Sequence, residues 1–391
     1  LGQRSKTGSR KMADQEVISS TILSAQPRAW DRLSQIGSSE QLGSAYLFSG
    51  PPGCGKEGTA LQFAQLLNCK SGTENSCGTC PSCKRFFRLQ HENLKLIFPL
   101  PTLKKNTDRE NTAIDQKDLE MVTEAIAQKS GDPFFKIQIP RANRILIQSI
   151  RELRKSLYLK SETSGRKMVL IFDAHLLSAG QGEAANALLK LLEEPPENTT
   201  LVLVTDYIEL LLPTILSRCQ RVGFPRLDDS FIRNWFEMKM VKDTDIPFLT
   251  GLSRGNLHQA RFLISQSVSD LMILIGGLIK TITQDDPEQW RKFTQIYSKL
   301  AKQDQSTFSF HFMVLKIWFQ STNRFQKNLD DLLHHTSFKP GMERMIKTYP
   351  DADFSAIAFK LEDAVNAIPQ NLYMPLVLIN LLLHIQKHLN S

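Results

Sequence analysis

The chain has 391 residues, 41% of them hydrophobic, and is long enough for two or three domains with buried cores. Its formal net charge of +8 suits a nucleic-acid-binding surface and suits a merely solvated basic surface equally well. The sequence has no run of about 18 apolar residues, as a membrane-spanning helix needs, and its basic beginning lacks the apolar core of a signal peptide. We therefore expect a cytoplasmic protein, with residues 1–20 as a tail and Met12 as a candidate start.

The first motif in chain order is a glycine-rich stretch that follows a predicted strand. Gly50, Gly53 and Gly55 precede Lys56 in the spacing of a P-loop, where backbone N–H groups surround phosphates and the lysine adds positive charge. The next position normally carries a serine or threonine that binds Mg²⁺, but here it is Glu57. Because a carboxylate repels a triphosphate, we predict a phosphate-binding loop with damaged chemistry. Whether nucleotide still binds without turnover stays open.

Four cysteines follow the helix that is predicted after this loop. Cys69, Cys77, Cys80 and Cys83 are separated by glycine, proline, serine and threonine residues, which suit tight turns. Four thiolates at this spacing can form a closed tetrahedral Zn²⁺ site, and such a site is structural because it leaves no position for a substrate. The alternative is four reduced cysteines without a metal. The spacing therefore predicts a structural zinc module.

A second candidate nucleotide-binding element lies after a buried strand. The strand ends in Asp173, at the Walker B position where a P-loop ATPase has the carboxylate that orients Mg²⁺. An active enzyme would have glutamate next, but here the residue is Ala174. His175 is either a substitute base or, in the interpretation that we favour, a structural residue. Thr205 gives the following buried strand a polar end.

The order of these motifs is similar to that of the clamp-loader subunits of bacterial DNA polymerase III, a branch of the AAA+ proteins. The resemblance rests on the P-loop, the four cysteines and two further sequences. These are Asn-Ala-Leu-Leu-Lys-Leu-Leu-Glu-Glu-Pro-Pro at residues 186–196 and Ser-Arg-Cys at residues 217–219. It covers about residues 20–265; beyond them only length and helical character agree.

The resembled family includes an ATP-hydrolysing motor subunit, gamma/tau, and a catalytically degenerate subunit, delta-prime. Glu57 and Ala174 lack the motor's Mg²⁺-binding hydroxyl and its water-activating carboxylate, and His258 stands where its sensor-2 arginine would be. The loop at residues 173–178 is one residue shorter than the motor's. The resemblance thus favours the degenerate type, while Thr205, at the sensor-1 position, is compatible with both.

Arg218 has a role in this family that depends on a neighbouring subunit. There the arginine of Ser-Arg-Cys enters the neighbour's nucleotide site as an arginine finger, which stabilises charge on the transferred phosphoryl group. A local salt bridge is the alternative. The resemblance implies gamma/tau and delta subunits as partners in a five-subunit arc. Through that complex it implies the sliding clamp and primed DNA, with salt-sensitive contacts to phosphates.

Two other functions stay open. An ATP-hydrolysing motor with an unusual P-loop would lose turnover in a Lys56→Ala variant. A free-standing zinc-containing DNA-binding module would bind DNA in isolation and lose that affinity when Cys77 or Cys80 is replaced. The intact Arg218 counts against the second alternative.

Strands alternate with helices from residue 45 to 225, which predicts a parallel sheet with helices on both faces. From Asp228 onward the pattern is helical, and we interpret Phe308 and Phe312 as core residues instead of a base-stacking platform. With the resemblance, we predict four parts: a tail (1–20), an AAA+ P-loop-like α/β domain (21–226), a small helical lid (227–266) and an all-α collar (267–391). The α/β domain would contain the zinc module at 69–83 and a partly flexible surface insertion at about 99–142.

Overall fold

The structure is a computed structural model that describes residues 23–39, 42–71, 75–101, 115–159, 164–329, 333, 338–368 and 372–390. The predicted N-terminal tail lies outside these residues. The chain divides into two compact units, Leu1–Phe231 with Gly255–His258, and Ile232–Arg254 with Gln259–Ser391. The predicted lid and collar boundaries stay predictions.

The first unit is built around a five-stranded sheet in which all paired strands are parallel. Its strands are β1 (Ala45–Ser49), β2 (Leu94–Ile97), β3 (Lys167–Ile171), β4 (Thr199–Thr205) and β5 (Gln220–Gly223). They lie in the order β2-β3-β4-β1-β5. β3 and β4 are buried along almost their whole length, as expected for central strands covered on both faces. The predicted parallel α/β core is confirmed.

The register of the central strands brings three loops to one edge of the sheet. The last residue of β1, Ser49, pairs with Thr205 at the end of β4, and the P-loop and Asp206 follow directly. β3 ends two residues before Asp173. Because carboxyl ends of parallel strands meet at one edge, the candidate nucleotide-binding residues converge there.

The helices of the first unit take their bounds from local signals. The long apolar helix α6 begins after Gly182, whose φ is +69°, and ends before Pro195 and Pro196, which cannot continue a helix. The full set is α1 (Pro27–Ser38), α2 (Lys56–Leu66), α3 (Pro81–Phe87), α4 (Gln116–Gly131), α5 (Ile147–Tyr158), α6 (Glu183–Glu193) and α7 (Pro213–Leu216), with short 3₁₀ helices at Ala174–Ser178 and Ile208–Leu210.

The predicted surface insertion is partly wrong. Residues 102–114 lie outside the described part of the chain, but from residue 115 onward the segment is ordered and partly buried. Phe134, Ile137 and Ile139 belong to the core, and Lys129 at the end of α4 is 1% exposed. The apolar residues were not identified as core residues because the rest of the segment is polar. The burial of the lysine could not be predicted because its acidic partner, Glu57, is far away in sequence.

The second unit is helical in its described residues. Its helices are α8 (Asp229–Met238, which begins in the first unit), α9 (Ile246–Ser253), α10 (Leu257–Ile264, which also begins there), α11 (Val268–Thr283), α12 (Pro287–Gln303), α13 (Gln305–Gln326), α14 (Lys339–Thr348), α15 (Phe354–Asn366) and α16 (Met374–Leu389). Phe308 and Phe312 are fully buried and stack with ring centroids 4.2 Å apart, which confirms their interpretation as core residues.

Among the described residues, no single helix combines the length and the apolar character that crossing a bilayer requires. The bent pair α10 and α11 meets both criteria only when its two helices are counted together. Most residues on the inner face of α11, such as Leu271, Ile275 and Ile282, are buried within the protein.

Candidate functional site

The P-loop that the sequence predicts is formed between β1 and α2. Gly53 and Gly55 have φ angles of +68° and +91°, values that an L side chain rarely adopts. A Cβ atom at Gly53 would overlap the side-chain oxygen of Asn256, and one at Gly55 would lie 3.0 Å from Phe134. The N–H of Leu257 donates to the carbonyl oxygen of Gly53 at 3.0 Å. The loop therefore packs closely against other parts of its own unit.

The P-loop lysine is directed inward. The Lys56 ammonium donates hydrogen bonds to the carbonyl oxygens of Gly50 (2.9 Å) and Pro51 (2.6 Å). It also forms an ion pair with Asp206, with 2.7 Å between Nζ and Oδ1. The Cys54 Sγ atom lies 3.5 Å from the same ammonium, and the side chain is only 4% exposed. Lys56 thus has its charge neutralised within the protein.

Glu57, which replaces the expected hydroxyl residue, also has an internal partner. Its carboxylate forms an ion pair with the Lys129 ammonium, which donates a second hydrogen bond to the carbonyl oxygen of Phe135 at 2.6 Å. The ammonium also lies 5.2 Å from the centre of the Phe172 ring. Burial lowers the pKa of Lys129, and the Glu57 carboxylate opposes that shift.

Lys136 links the carboxylates of Asp173 and Asp206. Its Nζ lies 2.8 Å from Asp173 Oδ1 and 3.0 Å from Asp206 Oδ2. Burial disfavours the charge on Lys136, but the two carboxylates outweigh it and raise the pKa of this ammonium. Burial likewise opposes ionisation of Asp206, but Lys136 and Lys56 together hold the pKa of its carboxyl well below the usual range.

The space that these side chains leave is too small for a nucleotide. The cavity beside the P-loop has a volume of about 20 Å³. That is room for about one water molecule, whereas pockets for small ligands and cofactors measure about 300–1,000 Å³. A triphosphate would also meet the carboxylates of Glu57, Asp173 and Asp206, and the lysines beside them are already in ion pairs with those carboxylates. The arrangement of the described residues therefore does not fit a magnesium nucleotide.

The predicted nucleotide-site residues nevertheless share one location. The cavity is lined by Gly53, Gly55, Lys56, Asp173, Thr205 and His258, while the carbonyl oxygen of Gly50 contacts the lysine. The Asn256 side chain accepts a hydrogen bond from the N–H of His258 at 3.0 Å. The structure thus brings the predicted nucleotide-site residues together around one cavity, and the interior of that cavity contains ion pairs.

His175 is held by neighbouring side chains. Its Nδ1 lies 3.2 Å from the Thr205 hydroxyl, and its ring meets the Tyr207 ring edge-on with centroids 5.0 Å apart. The Thr205 hydroxyl also accepts a hydrogen bond from the N–H of Tyr207 at 3.0 Å. Burial lowers the pKa of His175 and favours its neutral form. These contacts support its interpretation as a structural residue.

Arg218 lies at the surface, away from the cavity-lining residues. Its guanidinium donates to Glu193 Oε1 at 2.8 Å and to the carbonyl oxygen of Thr214 at 2.9 Å. The arginine and glutamate side chains are 35% and 49% exposed. An ion pair this exposed is weak, so the arginine can leave it at little cost. Cys219, in contrast, is a buried free thiol.

The four clustered cysteines are positioned for a metal. Their Sγ atoms all lie within 4.8 Å of one another, and those of Cys77 and Cys83 are 3.9 Å apart. Tetrahedral Zn²⁺ with Zn–S bonds of about 2.3 Å requires sulfur atoms about 3.8 Å apart. The N–H groups of Cys77, Cys80 and Cys83 point at the sulfurs of Cys69, Cys77 and Cys80, respectively, at 3.3–3.4 Å. The donor set therefore fits a structural zinc ion.

Short contacts attach the cysteine cluster to the core. The Ser82 hydroxyl donates to the carbonyl oxygen of Asn68 at 2.7 Å and lies 3.1 Å from His91 Nε2. Because His91 Nδ1 accepts from the N–H of Asn93, Nε2 carries the proton and donates to Ser82. The His91 ring stacks on Phe86, with centroids 4.2 Å apart.

Sequence reasoning missed three members of the site: Lys129, Lys136 and Asp206. Asp206 directly follows Thr205 at the end of a strand beside β1, so the rule that places sites at carboxyl ends of parallel strands could have found it. Nothing in the sequence marks the two lysines, which belong to a polar segment without a recognisable motif.

A family model described as "DNA polymerase III, delta subunit" matches residues 25–228, more than half of the chain. The chain belongs to this family. Membership confirms the resemblance that the motifs carry, and the matched residues include the whole parallel sheet and the cysteine cluster.

Relatives within DNA polymerase III agree with this assignment. The chain is 27% identical to subunit tau of Bacillus subtilis over 232 residues, which are 58% of this chain and 33% of tau. It is 31% identical to subunit delta-prime of the same organism over 209 residues, which are 54% and 50% of the two chains. The chain thus spans between a third and a half of the length of these curated relatives.

One solved structure, a DNA polymerase III gamma-subunit-related protein from Thermotoga maritima, superposes with a TM-score of 0.38 and 19% identity. The superposition covers 92% of this chain and 99% of the other.

Proposed function

We propose that this chain is the non-hydrolysing delta-prime subunit of a bacterial clamp loader. The observation that carries the proposal is the state of the P-loop site, where Lys56 is paired with Asp206 and Glu57 with Lys129. Phosphoryl transfer requires a lysine and a metal ion placed against the phosphates. A site whose charges neutralise one another supplies neither, so the chain has no ATP turnover of its own.

The proposed contribution to ATP hydrolysis is made in trans by Arg218. The residue lies at the surface, and its pair with Glu193 is exposed and weak. When a gamma/tau subunit docks beside it, the guanidinium exchanges Glu193 for the phosphates of the neighbour's nucleotide. The guanidinium suits that position because it is planar, permanently charged and carries several N–H donors that can contact phosphate oxygens.

The proposed partners are gamma/tau and delta subunits, with the sliding clamp and primed DNA bound through the complex in the cytoplasm. In this assignment the C-terminal helices join a collar. An apolar stripe on α16 supports that role, since Leu376, Ile379 and Leu383 follow one another at helical spacing and are 44–56% exposed. Exposed leucine and isoleucine side chains on one helix face are typical of a protein–protein contact.

The test is steady-state ATP hydrolysis by the isolated chain and by the assembled complex with clamp and primed DNA. We expect no turnover by the chain alone. In the complex, Arg218→Ala should slow hydrolysis at the adjacent site by at least about tenfold. Arg221→Ala, an exposed substitution three residues later in β5, is the matched control and should have no effect. Glu193→Ala should preserve turnover, because it removes only the local partner of the arginine.

Two results would favour other functions. Robust turnover by the isolated chain that disappears in Lys56→Ala would make it a gamma/tau-like motor. Tight DNA binding by the isolated chain that disappears in Cys80→Ser would make it a zinc-containing DNA-binding module. An unchanged complex rate in Arg218→Ala would eliminate the arginine finger.

A further inference from the structure

Three lysines and three acidic residues meet at the carboxyl edge of the sheet. This P-loop charge cluster consists of Lys56, Lys129, Lys136, Glu57, Asp173 and Asp206. Four ion pairs join its members, and none of the six side chains is more than 20% exposed. Its formal charges sum to zero, so the cluster needs no external ion to balance it.

Two of the three lysines come from the same short segment. Lys129 lies in the last turn of α4, and Lys136 follows seven residues later. Pro133 and Phe134, between the two lysines, line the cavity. The Phe134 ring also lies against the P-loop at Gly55. Residues 129–136 therefore supply both the charges and part of the volume that fill the site.

We propose that residues 129–136 form an internal plug that takes the place of a magnesium nucleotide in the P-loop site. The Lys136 ammonium lies between Asp173 and Asp206, the two carboxylates available to a divalent cation, at 2.8 and 3.0 Å. Lys129 neutralises Glu57, which would otherwise repel phosphate. The inference rests on the proposed absence of turnover and adds the physical reason why nucleotide does not enter.

Binding of a nucleotide would have to undo this arrangement at several points. Lys56 would have to leave Asp206, and Phe134 would have to move away from the loop. Lys136 would have to give up its ion pairs with Asp173 and Asp206 before a divalent cation could reach those carboxylates. Glu57 and Lys129 would still remain where a hydroxyl is needed. Each ion pair that breaks leaves a charge without its buried partner, which is unfavourable in a site of low dielectric.

The first test is calorimetric titration of the full-length chain with magnesium ADP. We expect no binding by the wild type up to about 1 mM ligand. The triple variant Glu57→Thr/Lys129→Met/Lys136→Ala should bind at least about tenfold more tightly than that limit. Lys155→Ala, an exposed substitution on α5, is the control and should behave as the wild type. A wild-type dissociation constant below about 1 mM would overturn the proposal.

The second test does not depend on the triple variant's stability. Glu57→Thr alone leaves the buried Lys129 ammonium without its carboxylate and should lower Tm by about 5 °C. Adding Lys129→Met should restore most of that loss. An unchanged Tm in Glu57→Thr would contradict the pairing.

A folded triple variant that still excludes magnesium ADP would show that the plug is not the barrier.

Failure of this inference is distinguishable from failure of the proposed function. A wild-type chain that binds magnesium ADP but has no turnover on its own, in a complex whose hydrolysis is still slowed by Arg218→Ala, would overturn the plug alone. Loss of the Arg218 effect with no ADP binding would overturn the arginine finger alone.

Discussion

Asp206 and Lys56 form an ion pair of 2.7 Å in which both side chains are largely buried. Removing one member of a buried ion pair is unfavourable, and without Lys56 the Asp206 carboxylate would keep only Lys136 as a cationic partner. We expect Lys56→Met to lower the free energy of unfolding by about 3 kcal/mol in denaturant titrations. Lys155→Met on the exposed face of α5 should change it by less than about 0.5 kcal/mol. Equal stabilities for the two variants would contradict the structural role of Lys56.

The buried His175 predicts a loss of stability as the pH falls. Its pKa is lowered by burial, so the unfolded chain binds the proton at a higher pH than the folded chain does. The stabilising effect of the neutral ring is therefore complete above the unfolded pKa of about 6.5 and declines as the pH falls below it. One such group contributes at most about 1.4 kcal/mol per pH unit.

The measurement for this prediction is urea unfolding at several pH values for wild type and His175→Gln. Asp173, Asp206, Glu209 and Lys136 act on the ring electrostatically and are present in both proteins. Burial also lowers the pKa of other histidines, including His91 and His311. The informative quantity is therefore the difference between the two pH profiles. Parallel profiles from pH 7.5 to 5.5 would refute the prediction.

The cysteine cluster predicts one tightly bound zinc ion per chain. Cys80→Ser should abolish stoichiometric zinc in elemental analysis, because the tetrahedral donor set loses a thiolate. It should also lower the free energy of unfolding by more than about 3 kcal/mol, since metal binding is linked to folding. Cys219→Ala is the matched control, as Cys219 is buried outside the cluster. Full zinc content in Cys80→Ser, or its loss in Cys219→Ala, would count against the assignment.

The Arg218–Glu193 pair should contribute little to stability. Both side chains are exposed, and exposed pairs are worth about 0.2–1 kcal/mol in double-mutant cycles. We expect a coupling energy below about 1 kcal/mol from Arg218→Ala, Glu193→Ala and the double variant. A coupling of several kcal/mol would mean that the arginine is fixed in place and unavailable to a neighbour.

Strands, P-loop and cysteine cluster were predictable because each depends on local sequence. Apolar runs bounded by glycine or proline marked β1 and β4, and spacing alone identified Cys69, Cys77, Cys80 and Cys83. The helical pattern from Asp228 onward likewise agrees with the helices of the second unit.

The interior of the P-loop site was not predictable in the same way. Lys129 and Glu57 are 72 residues apart, and Lys136 and Asp206 are 70 residues apart. A charged residue in a polar segment normally lies at the surface, since burying it is unfavourable without a partner. Only the fold shows that the partners exist. The sequence identified Glu57 as a defect, whereas the structure shows it as one half of a matched pair.

The pairing of Glu57 with Lys129 also constrains how this protein can evolve. A single mutation that returned serine or threonine to position 57 would leave a buried ammonium without its counter-charge. Replacing Lys129 first would leave the carboxylate without its counter-charge. Each first step lowers stability before any gain in metal binding is possible. A change of position 57 to serine or threonine therefore needs at least one coordinated change at Lys129, because neither single substitution keeps the buried charges paired.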